Sequence, residues 1–544
     1  MWPVFLGGNM KKSAQIKQIN GKKVLYVDDK PFYMISGEIH NSSSSSIEYL
    51  SPILDKLESM NLNSVLLPIT WQMIEPKENE FDFSLTDAII KEVEKHNLKL
   101  GILWFGTWKN AQCSYCPEWI KVDTKNHFRA ELVKGETFIK RKSGLVKLPY
   151  STISPFSKKT MEADAKAFAK LMKHIKMVDK NRTVITIQVE NETGFLGGDM
   201  DYCDASLLEY EKDVPIELIK YLNDHIDSLD EKVKNQVLKN RSGNWENVFE
   251  DLAHEIFIAY HTAKYVEYVA SAGKKEYNLP MSVNCWLNTK NAKPGEYPCG
   301  GPIAKMMEVW MHAAPSIDIF APDNYLHEFC DVLNEFNKNN NPIYVPESKP
   351  RSFMMARQVY LIGQLNGMCY ASFGVEDIGN DNGFDLSRFA PLIGFATDTS
   401  KSYPVDIDEY SKLNKLLVGA MPIIINKYGT SDIVVYTKEL NKMVNKTIFD
   451  EYEIKTTFIP KKQKDNFVLI ERLSKDEFLF LGYHTSLSFA SLDKDRPYMQ
   501  NLSIEEGEYV DGNWKTIRVL NGDEEMMLMM NKPSMLKIKV NCFK

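Results

Sequence analysis

The sequence predicts a (β/α)₈ TIM barrel followed by a smaller, β-sandwich-like C-terminal domain. Three observations predict it. Eight short apolar runs rich in β-branched residues alternate with helical stretches through the first 410 residues. Two of those runs, far apart in the chain, end in glutamates, Glu192 and Glu347. Beyond residue 410 the pattern turns to strands and turn pairs. Residues 1–410 are therefore expected to form a barrel with an N-terminal hairpin, and residues 411–544 a β-rich domain.

The elements follow in order. Asn20-Gly21 is a favoured two-residue turn inside residues 18–32, and Asp28-Asp29-Lys30 offers another, so a hairpin is expected there. Residues 32–40 are the first barrel strand, ending in Glu38 and His40. A serine run follows, and Ser51-Pro52 is expected to start the next helix, as cap and first-turn residue. Residues 63–69 are the second strand, followed by Trp71 and Glu75. Residues 99–105 are the third, with Trp104 inside and Trp108 just beyond. Residues 280–284 are the fifth, ending in Asn284, and residues 317–323 the sixth, with Tyr325 after it. Residues 341–347 are the seventh, and residues 367–374 the eighth, closing with Glu376 and Asp377.

The fourth strand organises the rest. Residues 183–189 are β-branched and apolar, and the chain then passes through Glu190-Asn191-Glu192-Thr193-Gly194. If the strand continues, Glu190 and Glu192 share one face and Asn191 points the other way. In a barrel the active site is built at the C-terminal ends of the strands. Two strand-end glutamates there suggest the carboxylate pair of glycoside hydrolysis. Trp71, Trp104, Trp108, Trp119, Trp286 and Tyr325 collect at the same ends, where they would form a platform for the apolar face of a sugar, with Asn and Glu bonding its hydroxyls.

Composition narrows the function. A net charge of −7 leaves no basic footprint for nucleic acid. No apolar run approaches a membrane span. Residues 1–8 lack a cationic start and carry too short an apolar core for a secretory signal, and residues 10–12 are followed by no apolar stretch, so a cytoplasmic protein is expected. Cys113-Ser-Tyr-Cys116 stands without a second pair, which favours free thiols over a metal site. A metal-dependent barrel hydrolase would need His or Asp ligands at strand ends, and His40 is the one obvious candidate; no metal and no cofactor is expected.

Ser36-Gly37-Glu38-Ile39-His40, Thr70-Trp71-Gln72-Met73-Ile74-Glu75-Pro76, Phe81-Asp82-Phe83 and Gln188-Val189-Glu190-Asn191-Glu192 resemble glycoside hydrolase family 35, mostly retaining β-galactosidases on a (β/α)₈ barrel. Residues 37–43 and 104–110 resemble its short bacterial branch, which carries a β-rich C-terminal domain; residues 507–514 and 518–524 look like that domain. The resemblance runs from about residue 15 onward. It implies Glu192 as general acid/base and Glu347 as nucleophile. Asn191 is the candidate for a sugar 2-hydroxyl, and Tyr325 for a hydrogen bond to Glu347. Glu38, His40, Trp71, Glu75, Trp104, Trp108, Asn284 and Glu376 complete the expected substrate-binding set. One departure stands out: where the typical family member has Pro-Gly-Pro-Tyr and a galactose-binding Cys-Ala-Glu after strand three, this chain has residues 104–110 with no Glu in that place. The expected function is a retaining exo-β-glycosidase with β-galactosides as first substrates and β-glucosides, β-mannosides or α-arabinosides as alternatives. A sugar-binding protein on a catalytically dead barrel is the rival. The partner is a carbohydrate. The C-terminal domain is expected to brace the barrel or join subunits of a homo-oligomer rather than bind sugar, because its sequence shows no exposed aromatic cluster.

Overall fold

A computed structural model describes residues 13–136, 139–143, 146–288, 291–326, 328–351, 353–379, 403–460 and 465–544. The reading of residues 1–8 and 10–12 lies outside them. Eight parallel strands form one sheet: Met34–Glu38, Ser64–Thr70, Lys99–Phe105, Val184–Val189, Met281–Trp286, Ile319–Asp323, Tyr344–Val345 and Cys369–Phe373. Each except the sixth pairs with the next in sequence, and the eighth returns to the first through Cys369–Met34 to Phe373–Glu38. The seam between the sixth and seventh strands closes the ring. Asn341 stitches its lower part, accepting from Phe320 N at 2.9 Å and donating to Phe320 O at 2.9 Å. An Asn324–Ser348 bridge closes the upper part, where Asn324 N donates to the carbonyl of Glu347 at 2.8 Å. Glu347 thus sits on the closure itself.

The strand interiors are continuously buried, as parallel strands covered by helices must be. All eight expected strands are present. The helix after the first strand spans Ile47–Ser59, so it begins before Ser51-Pro52. Ser46, not Ser51, is its cap and accepts from Tyr49 N at 3.3 Å, and Pro52 lies inside the helix. Two long helices, Lys158–Val178 and Ala253–Glu276, pack outside the third and fourth strands. At the N-terminus Asn20-Gly21 and Asp28-Asp29 turn a three-stranded sheet, all four residues left-handed, as type I′ turns require.

The helix Ile407–Asn426 lies against the barrel, with Asn414 donating to Met60 O at 2.9 Å. A sandwich follows. Its six-stranded sheet runs Ile433–Thr437, Phe467–Ser474, Glu477–Tyr483, Ser534–Phe543, Tyr498–Val510, Asn513–Val519 in spatial order. The facing sheet has four strands: Val444–Phe449, Tyr452–Phe458, Thr485–Ser491 and Leu528–Met530. Leu536, Ile538 and Val540 alternate into the core between them, where they meet Ile454, Phe478 and Phe480. The opposite face of the six-stranded sheet, Leu469, Leu479 and Leu481, joins the barrel's own core, and a buried Arg357–Glu439 ion pair at 2.5 Å crosses the junction. Asp511-Gly512 makes the expected hairpin. Asn521-Gly522 instead leads into one helical turn, Asp523–Met526. The domain also exposes one aromatic pair, Tyr498 and Phe543, which the sequence reading had not found.

Candidate active site

The fourth strand stops at Val189. Glu190 and Glu192 both adopt left-handed backbone conformations, with φ of 64° and 45°. Glutamate visits that region rarely, at a cost of roughly 1–3 kcal/mol each, so the surroundings must over-determine it. They do. Asn191 N donates to Trp108 O at 3.2 Å, Glu192 N donates to Asn284 Oδ1 at 3.0 Å, and the Glu192 carbonyl accepts from Ala111 N at 3.0 Å. The expectation that Glu190 and Glu192 share a face is therefore corrected, because side-chain alternation ended at Val189. Glu190 turns behind the strand ends. Its Oε2 accepts from Trp108 N at 2.7 Å, and its Oε1 lies beside Asp164 of the helix Lys158–Val178. Gly106 makes the room. A Cβ there would lie 2.4 Å from Trp104 Nε1, 2.6 Å from Glu190 Oε1 and 2.8 Å from Asp164 Oδ1.

Glu192 turns forward. One carboxylate oxygen from each of Glu192, Asp323 and Glu347 lies within 4.8 Å of the others, and all three residues are buried. Tyr325 donates to Glu347 Oε2 at 2.7 Å. Asn284 ties three strands together: its carbonyl oxygen holds Glu192 N, and its amide donates to Asp323 Oδ2 at 2.8 Å and to Glu347 Oε1 at 3.5 Å. Asn110 donates to Glu192 Oε2. Lys109 is buried and donates to Asn191 Oδ1 at 2.9 Å. Burial pulls Lys109 down, but Glu347, Glu192, Glu38 and Asp323 together hold it above its ordinary value. Burial and the neighbouring Glu347 push Glu192 up to about 7, against the opposing pull of Lys109. Glu38 and Asp323 are raised well above the carboxylate range, each first by burial and then by Glu347. Both oxygens of Glu38, Asn191 Nδ2 and Asp323 Oδ1 are buried with no hydrogen-bond partner among the described residues. Such groups are costly unless a polar ligand meets them.

Residues 24–148 match the family model of glycosyl hydrolases family 35. The similarity to that family model is confined to this segment. The segment contributes Glu38, Lys109 and Asn110 to the site, while Glu192 and Glu347 lie beyond it. Residues 410–530 match a domain of unknown function, where the β-rich domain stands. A β-galactosidase of Xanthomonas manihotis is 27% identical over 189 residues, 34% of this chain and 28% of the relative, so the chain spans little more than a quarter of that protein's length. A β-galactosidase from Bacillus circulans sp. alkalophilus superposes with TM-score 0.43 at 10% identity, covering 93% of this chain and 99% of that one. A β-galactosidase of the psychrophilic Marinomonas ef1 gives TM-score 0.41 at 10% identity over 62% of this chain and 54% of that one.

The aromatics are not arranged as the sequence predicts. Trp71, Trp104 and Trp108 are fully buried, so none of them offers an open sugar platform. Trp71 Nε1 donates to Glu75 Oε2 at 2.9 Å, and Glu75 Oε1 accepts from Asn79 N at 2.7 Å, with Trp119 donating to the Glu75 carbonyl at 3.1 Å. Trp71 and Glu75 therefore brace their own loop, and their hydrogen bonds go to each other and to that loop, not to the carboxylate pair. Trp104 Nε1 donates to Asp164 Oδ1 at 2.9 Å, behind the site. Trp108 holds Glu190 through its backbone and packs edge-on against Tyr265. Trp286 is half-buried, packs against Ala111 and Leu196, and pairs in register with Asp323. His40 binds Asp377 Oδ2 at 2.8 Å, and Glu376 Oε1 accepts from His40 N and Ser43 Oγ, both at 2.9 Å, so these two join the loops after the first and eighth strands. Asn284 proves to be a scaffold whose amide is already engaged at both ends. Cys113 and Cys116 donate to the carbonyls of Ser151 and Gly106, each at 3.5 Å. Asp323, Lys109 and Asn110 were missed; the signal available for Asp323 was a third strand ending in an acid.

The raised Glu192 has a stability consequence. A carboxyl whose folded pKa lies above its unfolded value binds its proton more tightly when folded. That contribution is complete below the unfolded value, about 4.3, and is lost as pH rises through about 7. Glu192→Gln carries no such charge. Relative to the native protein it should gain on the order of a few kcal/mol at pH near 8 and almost nothing near pH 4.5. Asp465 and Glu471, also pushed to about 7 by burial, titrate in both proteins and cancel in the comparison. Thermal melts at both pH values check it; an equal difference at each would contradict the shift.

Proposed function

We propose that this chain is a retaining, exo-acting β-glycosidase with terminal β-galactosides as its first substrates. The observation that supports it most is the buried Glu192–Glu347 pair, with oxygens within 4.8 Å, Glu347 accepting from Tyr325 and Asn284 and Glu192 pushed up to about 7. Retaining enzymes keep their carboxyls about 5–5.5 Å apart, whereas inverting ones leave about 6.5–9.5 Å for a water. Glu347, bonded by Tyr325 and Asn284, attacks the anomeric carbon as the glycosidic C–O bond breaks. Glu192, protonated at rest, gives its proton to the departing oxygen. As a carboxylate it then takes a proton from water, which attacks the same carbon and releases Glu347. Glu38 and the Asn191 amide offer unpaired polar atoms to sugar hydroxyls, Asn191 at the 2-hydroxyl.

Residues 104–110 keep a second reading open in the same chemistry. Lys109 and Asn110 stand where the typical family member places its galactose-binding glutamate, so β-glucosides, β-mannosides or α-arabinosides are the alternatives. A panel of aryl β-galactoside, β-glucoside, β-xyloside, β-mannoside and α-arabinoside, with NMR of the newly released sugar, tests both readings. The expected first-formed product is the β-anomer of galactose. A first-formed anomer inverted relative to its substrate, such as α-galactose from a β-galactoside, would refute retention. No turnover of any member would favour the sugar-binding barrel.

A further inference from the structure

Asp323 ends the sixth strand between the two proposed catalytic glutamates and is 3% exposed. Its surroundings are mostly acidic. Glu192 faces it from the fourth strand end, Glu347 from the seventh and Glu38 from the first, with Tyr325 following it in its own loop and the Cys285 thiol nearby on the fifth strand. Lys109 is a buried cation facing these carboxyls. Four ionised carboxylates around one ammonium would leave three uncompensated charges out of water, which a buried site resolves by keeping protons. The hydrogen bonds say where one of them belongs. Asp323 Oδ2 already accepts from the Asn284 amide, Oδ1 is buried with no donor bonded to it, and a carboxyl oxygen of Glu192 and one of Glu347 lie within 4.8 Å of an Asp323 oxygen, Glu192 as a hydrogen-bond partner of Asp323.

We infer that Asp323 is a positioning residue for this reaction: it keeps its proton on Oδ1 and donates it as a hydrogen bond to the carboxyl of Glu192. This rests on the glycosidase reading above. In the first half-reaction Glu192 gives a proton to the leaving oxygen and becomes a carboxylate, and the Asp323 O–H stabilises that carboxylate without transferring to it. In the second, Glu192 takes a proton from water, and the same bond holds it in line. The Asp323 proton does not leave, so the balance of the reaction is unchanged. The arrangement parallels carboxyl pairs in which crowding keeps one partner neutral.

Two substitutions and one spectrum test it. Asp323→Asn replaces the O–H by an N–H in the same place. Asp323→Ala removes the donor. Without the donor Glu192 holds its proton more tightly, so the alkaline limb of kcat/KM in Asp323→Ala should move up by about one pH unit, with kcat falling about ten- to a hundredfold. Asp323→Asn should leave the limb where it is and lose less rate. If Asp323 were ionised, Asp323→Asn would delete a negative charge beside Glu192 and move the limb down by about one unit or more; that outcome overturns the inference. Carboxyl-¹³C aspartate NMR reads the proton without substrate. The resonance absent from Asp323→Asn should keep the shift of a protonated carboxyl from about pH 5 to about pH 7. A carboxylate shift over that range overturns the inference even in a fully active enzyme. A protein inactive on every glycoside would sink the glycosidase reading while leaving this resonance where it is.

Discussion

Glu347→Ala is expected to lose activity on every β-glycoside, whatever the leaving group. The carboxylate removed is the one that forms the bond to the anomeric carbon, so no glycosyl-enzyme can accumulate. The surrounding fold has little reason to fail with it. Glu347 contributes its backbone carbonyl to the barrel seam through Asn324, and alanine keeps that bond. Among the described residues its side chain is hydrogen-bonded by Tyr325 and Asn284, and Asn284 retains Asp323 and Glu192 N. Steady-state rates on dinitrophenyl and nitrophenyl glycosides, with a melting curve to show folding, check this. A loss smaller than about a hundredfold, the low end of what general acid–base catalysis alone contributes, would remove Glu347 from the nucleophile's role.

Glu192→Ala is expected to behave differently with each leaving group. Dinitrophenolate departs with little protonation, so the first half-reaction stays fast on that substrate. Water has lost its base, so the second is slow. The expected trace is a burst of dinitrophenolate equal to the enzyme present, followed by a slow steady state. An aryl glycoside with a poor leaving group should show no burst and a loss of about a hundredfold or more. Uniform loss across leaving groups would mean that Glu192 does not protonate the aglycone.

The barrel was legible because each strand is a short apolar run with a polar end, and eight such runs alternate with helical stretches. The Tyr325 bond to Glu347 was expected alongside the family resemblance, and the structure places the two residues at the ends of adjacent strands. Three things were not. The face of Glu190 depended on a left-handed turn after Val189 that no residue type announces, because Glu is a poor candidate for it. The tryptophans were read as a platform from their place after strands, but Trp104 and Trp71 turn inward to give their indole N–H groups to Asp164 on a distant helix and to Glu75. Asp323 carries only the weak signal of a strand ending in an acid, and Lys109 none. Their meaning arises only when the first, third, fourth, sixth and seventh strand ends converge, which puts four carboxyls around one lysine. Ser46 capping the first barrel helix in place of Ser51 is a smaller miss: in a run of serines the cap is chosen by where the helix can first bury Leu50 and Leu54.

The division of labour between Glu192 and Glu347 is tested most directly by the anomeric configuration of the glycosyl azide made by each alanine variant, read by NMR. In Glu192→Ala the glycosyl-enzyme forms on Glu347, and azide, which needs no base, enters from the face that Glu192 vacated. Two displacements give the β-azide. In Glu347→Ala azide takes the nucleophile's place and displaces the aglycone once, giving the α-azide. The account predicts that pairing. The α-azide from Glu192→Ala with the β-azide from Glu347→Ala would contradict it and exchange the two roles.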